Sequence, residues 1–292
     1  MSVFIKRIYE YEYVYEYEYV YTHEYEHEYK IYGGKMKQAT VISMVSAKGG
    51  IGKTTTCSTL GSALSLRNYK VLYIDNDAQS NLSLGMTITE VVEKNTMDLL
   101  MERCAAQDAI VKTTQGDLIA GGKELSESDV KLADIGKEYK LSEAIESVKS
   151  NYDFILIDCP PSLGTLTINA MTASDYIILP AQADAFSLQG IEQAFNTFQL
   201  VKKYTNRNLE ILGIILTRYN GRTILTKELN EVMEDTAKKM GCSVLGHIRE
   251  GIAVREAQAA KTDLLSYAPN SNPAQDYLNL TNTILKVING DK

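Results

Sequence analysis

The sequence predicts an α/β fold: a doubly wound, mostly parallel sheet flanked by helices. Apolar, β-branched runs recur at 39–46, 70–75, 152–158, 175–181, 210–217 and 243–248. Most are nearly continuous in apolar residues, the composition of strands buried on both faces of a parallel sheet. Helical stretches separate them, at about 53–67, 137–149, 186–204, 223–240 and 273–288, and this alternation is that of crossover units. A glycine-rich turn, KGGIGKTT at 48–55, lies between the first run and the first helix.

Residues 1–35 differ from everything after them. From Tyr9 to Tyr21 every odd position is Tyr and every even one Glu or Val. Such alternation formally describes a strand able to join a sheet edge or self-associate. The reading adopted here is a low-complexity Tyr/Glu segment outside the fold, disordered or not native. A two-residue repeat is also what a hexanucleotide DNA repeat encodes, so Met36 is expected to be the natural start. Residues 36–292 are then expected to form a single α/β domain.

The chain has 292 residues, 45% of them apolar, and a net charge of −7. That balance argues against a surface that coats nucleic acid everywhere, but it allows one local basic patch. The four cysteines, Cys57, Cys104, Cys159 and Cys242, form no CxxC pair and match no zinc spacing. A reduced, cytosolic compartment fits them best. No apolar run approaches the roughly 18 residues of a membrane span.

The strand TVISMVS leads into the glycine-rich turn. Gly49, Gly50 and Gly52 free the backbone, so that successive amides from Lys48 through Ile51 to Thr55 can turn into one concavity around phosphate oxygens. The strict phosphate-loop pattern has Gly where Ala47 stands. Lys53 is placed to reach the β- and γ-phosphates of ATP, and Thr54 to put its hydroxyl on Mg²⁺. Lys48 adds a cation inside the loop. The strand KVLYID ends in Asp75-Asn76-Asp77, and YDFILID ends at Asp158. Both carboxyl ends lie on the sheet edge where such folds bind ligands. Asp158 is expected to organise Mg²⁺. Of Asp75 and Asp77, one would hold a metal-bound water and the other would position the attacking water. The stretch 85–135 is expected to give short helices and one or two short strands that cap the nucleotide edge or widen the sheet. In 186–204, Phe186, Ile191, Ala194, Phe198 and Val201 make one amphipathic stripe. The last helix has a single lysine, Lys286, and no Trp or Phe, so it reads as docked on the domain and not as a membrane anchor.

KGGIGKTT, VLYIDNDAQSN and YDFILIDCPPSLG, in this order, resemble the ParA/MinD family of deviant Walker A ATPases. ILTRYNGRT (215–223) and GHIREGIAVREAQ (246–258) look most like its ParA (Soj-like) partition branch. The resemblance implies that Lys48 is the signature lysine, reaching the partner's nucleotide in an ATP-dependent homodimer. It implies that Thr55 supports the α-phosphate, that Asp77 positions the water, and that Asp75 is a metal-side acid. Arg218, Asn220 and Arg249 would lie near adenine. Nonspecific DNA would meet basic residues drawn from Arg218, Arg222, Lys227, Arg249, Arg255 and Lys261. A ParB-like protein would stimulate slow hydrolysis, and the protein would be cytoplasmic and nucleoid-associated, with no membrane partner. A MinD-like positioning role, a protein cargo, or a nucleotide-dependent scaffold with negligible hydrolysis stay open as alternatives. Ala78 and His247 stand where the family usually has Pro.

Overall fold

The computed structural model describes residues 38–221 and 224–290. The tail at 1–35, the expected start at Met36 and the candidate DNA contact Arg222 lie outside these residues.

The strands are β1 (Thr40–Met44), β2 (Val71–Asp75), β3 (Ile110–Thr113), β4 (Gly116–Ile119), β5 (Phe154–Asp158), β6 (Tyr176–Ala181), β7 (Glu210–Tyr219) and β8 (Val244–Arg249). They form one sheet in the order β3-β4-β2-β5-β1-β6-β7-β8. Only the β3–β4 pair is antiparallel among these strands. Each of the six predicted runs is a strand. The stretch 85–135 supplies β3 and β4, which widen the sheet beyond β2. Every residue of β1, β2 and β5 is buried, as their unbroken apolar composition requires. Register pairs Met44 and Asp75 each with Asp158, so these three strands end level at one edge.

The longer helices are α1 (Lys53–Ser65), α2 (Thr165–Ala173), α3 (Ala185–Tyr204), α4 (Ile224–Lys239), α5 (Ile252–Ala259) and α6 (Asn272–Asn289). The helix expected over 137–149 is α-helical only at Lys140–Ile145, between 3-10 turns. Leu141, Ile145 and Val148 anchor that segment. Helix α2 has no counterpart among the sequence expectations. Nearly all of its residues are buried, so it shows no polar face and no 3.6-residue period.

Helix α1 crosses β2 at Gly61. A Cβ there would stand 2.3 Å from the Tyr73 ring, so a residue without one is needed for the helix to approach this fully buried tyrosine. Helix α6 packs on β8 and α1, burying Tyr277, Leu278, Ile284 and Leu285. The Tyr277 hydroxyl lies 3.0 Å from Thr56 Oγ1. No helix of the described residues is long and apolar enough to cross a membrane.

Candidate functional site

The loop leaving β1 turns into α1 through two residues in the left-handed region, Gly50 (φ 71°) and Gly52 (φ 90°), a conformation glycine adopts without a Cβ clash. The first turn of α1 carries no acidic residue, which leaves its positive end unopposed. Thr217, on β7, donates its hydroxyl to the Ile51 carbonyl at 2.7 Å and lies 3.1 Å from the Ala181 carbonyl. It thereby ties the loop to the ends of β6 and β7.

Lys53 is buried, and its ammonium donates to the Lys48 carbonyl at 3.0 Å. Burial lowers its pKa, with the nearby Asp158 opposing that shift. Thr54 donates its hydroxyl to Asp158 Oδ2 at 2.6 Å. The other oxygen, Oδ1, is buried without a hydrogen-bond partner. Burial, followed by the neighbouring Asp75, pushes the Asp158 carboxyl up to about 8. A buried acid with one oxygen orphaned beside a threonine hydroxyl is a donor set that suits a hard cation. Among the described residues no group of three His, Cys, Asp or Glu side chains is arranged to hold a metal alone. Mg²⁺ takes one or two protein ligands and completes its shell with water and substrate phosphate.

Asp75, expected as a metal-side acid, is buried and hydrogen-bonded through both carboxylate oxygens. Its Oδ1 accepts from the Asp77 amide at 3.2 Å, and its Oδ2 accepts from the Ser83 amide and hydroxyl at 2.8 and 2.6 Å. Both oxygens are taken up inside the protein, so the carboxylate shapes the turn that presents Asp77. Asp77 in turn accepts from the Gln79 amide at 2.9 Å, an Asx-type turn, and faces the same cavity as the phosphate loop.

That cavity measures about 770 Å³, within the range of small-ligand sites. Gly49 to Thr55 form one wall. Arg218, Arg249, Arg255 and Lys261 also line the cavity. Arg218 sits in the left-handed region, with φ 49°. Arg249 is held by Asp276 through bonds of 2.9 Å from Nε and 2.6 Å from Nη2. Asn220, expected near adenine, is not among the lining residues, nor is the exposed Lys227 on α4. Arg255 and Lys261, expected as DNA contacts, therefore share the phosphate loop's cavity.

Lys48, expected at the nucleotide, is engaged in an ion pair. Its ammonium pairs with Asp184 Oδ2 at 2.8 Å, while Asp184 Oδ1 caps α3 by accepting from the Ser187 amide at 2.7 Å. Asp184, Thr217, Ser83 and Gln258 were not singled out from the sequence. Asp184 carries a readable signal, an Asp just before an amphipathic run. Its pairing with a lysine 136 positions away has none.

The chain matches the AAA domain family (AAA_31) over residues 39–211. It is 37% identical over 249 residues to the sporulation initiation inhibitor protein Soj of Bacillus subtilis, covering 84% of this chain and 97% of that protein. It is 36% identical over 252 residues to the chromosome partitioning protein ParA of Caulobacter vibrioides, covering 84% and 93%. Among solved structures it resembles cobyrinic acid a,c-diamide synthase of Mycobacterium smegmatis with bound ATP analog and magnesium. That match has a TM-score of 0.73 at 27% identity and covers 85% of this chain and 95% of that one.

Proposed function

The chain belongs to the ParA/MinD family of P-loop ATPases, and from that premise we propose that it is a ParA-like partition ATPase. It binds ATP with Mg²⁺, dimerises in that state, holds DNA without sequence preference, and hydrolyses ATP slowly as a timer. The cargo is chromosome or plasmid DNA, a ParB-like protein stimulates turnover, and the protein works in the cytoplasm on the nucleoid. The observation that carries the reading is the Thr54–Asp158 contact of 2.6 Å, with Asp158 Oδ1 orphaned, at the foot of a left-handed glycine loop.

Backbone amides of 48–55 cradle the phosphates, and Lys53 supplies a buried positive charge to them. Thr54 and Asp158 hold Mg²⁺, whose chemistry is to neutralise charge on the phosphates. Asp77, fixed by Asp75 and the Gln79 amide, orients a water. Lys48 leaves Asp184 and serves the partner subunit's site. Arg218 and Arg249 border the base. Lys227 and Arg222, with Arg255 and Lys261 at the cavity rim, supply phosphate contacts to DNA, which need positive charge and no base-reading element.

Fluorescence anisotropy on a duplex of arbitrary sequence tests this. Binding is expected with ATP and Mg²⁺, weak with ADP, and steeply lost as salt rises. Equal binding in ATP and ADP would overturn the switch. Hydrolysis without DNA binding in either state would favour a protein cargo.

A further inference from the structure

We propose that Gln258 is a positioning residue for nucleotide binding, orienting the Thr55 hydroxyl so that its proton faces a phosphate. The proposal rests on the nucleotide-site reading above. Gln258 Nε2 donates to Thr55 Oγ1 at 2.9 Å, joining α5 to α1 across 203 positions of sequence. Both residues line the cavity beside the phosphate loop.

A threonine hydroxyl carries one proton and accepts through its lone pairs. When Oγ1 accepts from the Gln258 amide, its own proton is left to donate. In a helix that proton commonly turns back to the carbonyl four residues earlier. For Thr55 that carbonyl belongs to Ile51, which already accepts the Thr217 hydroxyl at 2.7 Å. An Oγ1 that accepts from the Gln258 amide keeps its own proton to give; the Ile51 carbonyl already shares its lone pairs with Thr217, and the cavity that Thr55 lines is the competing direction. An anionic phosphate oxygen is the strong acceptor such a donor meets there. Arg255, one turn before Gln258 on α5, lines the same cavity, so the wall that positions the hydroxyl also carries positive charge.

ADP binding with Mg²⁺, measured calorimetrically on the full chain, tests the relay through a double-mutant cycle. Gln258→Ala and Thr55→Val should each raise the Kd about tenfold, the worth of one good hydrogen bond. The double variant should bind no worse than Thr55→Val alone. Gln258→Glu keeps the shape but has no proton to give, so it should bind at least as poorly as Gln258→Ala. Melting temperatures of the nucleotide-free variants should match the wild type. Wild-type binding by Gln258→Ala or Gln258→Glu, multiplying effects in the double variant, or lowered nucleotide-free melting that accounts for the loss would each overturn the relay. Lys53→Ala separates the two readings. If it loses ADP while Gln258 variants keep it, only the relay falls; if it binds like wild type, the nucleotide-site reading falls as well.

Discussion

The Lys48 ammonium stands 2.8 Å from the Asp184 carboxylate, so within one subunit the phosphate-loop lysine is paired with the cap of helix α3. Burial alone would raise the Asp184 carboxyl, but Lys48 and the Ser187 contacts hold it below the ordinary range. Each side chain is about one-third exposed, which limits the pair to about 0–1 kcal/mol. Asp184→Asn keeps a capping acceptor and removes the charge. Two such pairs open per dimer, so it should lower the protein concentration needed for ATP-dependent dimerisation by up to about 30-fold, read by analytical ultracentrifugation. Weaker dimerisation would mean that Asp184 serves the interface directly.

Lys48→Ala removes a charge assigned to the partner's site while leaving the subunit's own loop intact. DNA-stimulated phosphate release should fall roughly 10³-fold, as for loss of a trans-acting arginine finger. ATP affinity of the monomer should change little. Turnover equal to wild type would reject the role.

The raised Asp158 carboxyl gives a signed pH dependence for metal-free protein. Its folded value of about 8 exceeds that of an unfolded aspartate, about 3.9. Between these values the folded chain holds the extra proton, so the contribution of Asp158 to stability is full below about pH 4 and falls as pH rises toward 8. In EDTA, urea midpoints of the wild type should drop more from pH 5 to pH 8 than those of Asp158→Asn. Parallel profiles would show that Asp158 is not the group responsible.

Gly61→Ala would set a Cβ 2.3 Å from the fully buried Tyr73 ring. Overpacking should cost about 1–3 kcal/mol, outweighing a gain in helix propensity of up to about 1 kcal/mol. Urea denaturation reads the difference. A more stable variant would show that the ring yields freely.

Much of the architecture was legible because the chain uses two strong signals. The runs ending at Met44, Asp75 and Asp158 are apolar on both faces, and helix α3 shows one apolar stripe, buried at Ile191, Ala194, Phe198 and Val201 while Phe186 at its start is exposed. Helix α2 was not legible because burial on all sides leaves no period to read. The phosphate loop and its two acids were legible because glycines, lysine and strand-end carboxylates sit close in sequence to the elements that aim them. The division of labour between Asp75 and Asp77 was not. It depends on Ser83, whose hydroxyl and amide take up Asp75. Arg255 and Lys261 are exposed, as a surface patch requires, but charge alone did not say that they would also line the phosphate loop's cavity.

ATP is expected to join two subunits, each lending Lys48 to the other. Light scattering on Asp77→Ala, which should bind ATP without turning it over, tests it most directly. With ATP and Mg²⁺ the account predicts twice the 32.5 kDa chain mass, and with ADP the single mass. A single mass in both nucleotides would contradict it.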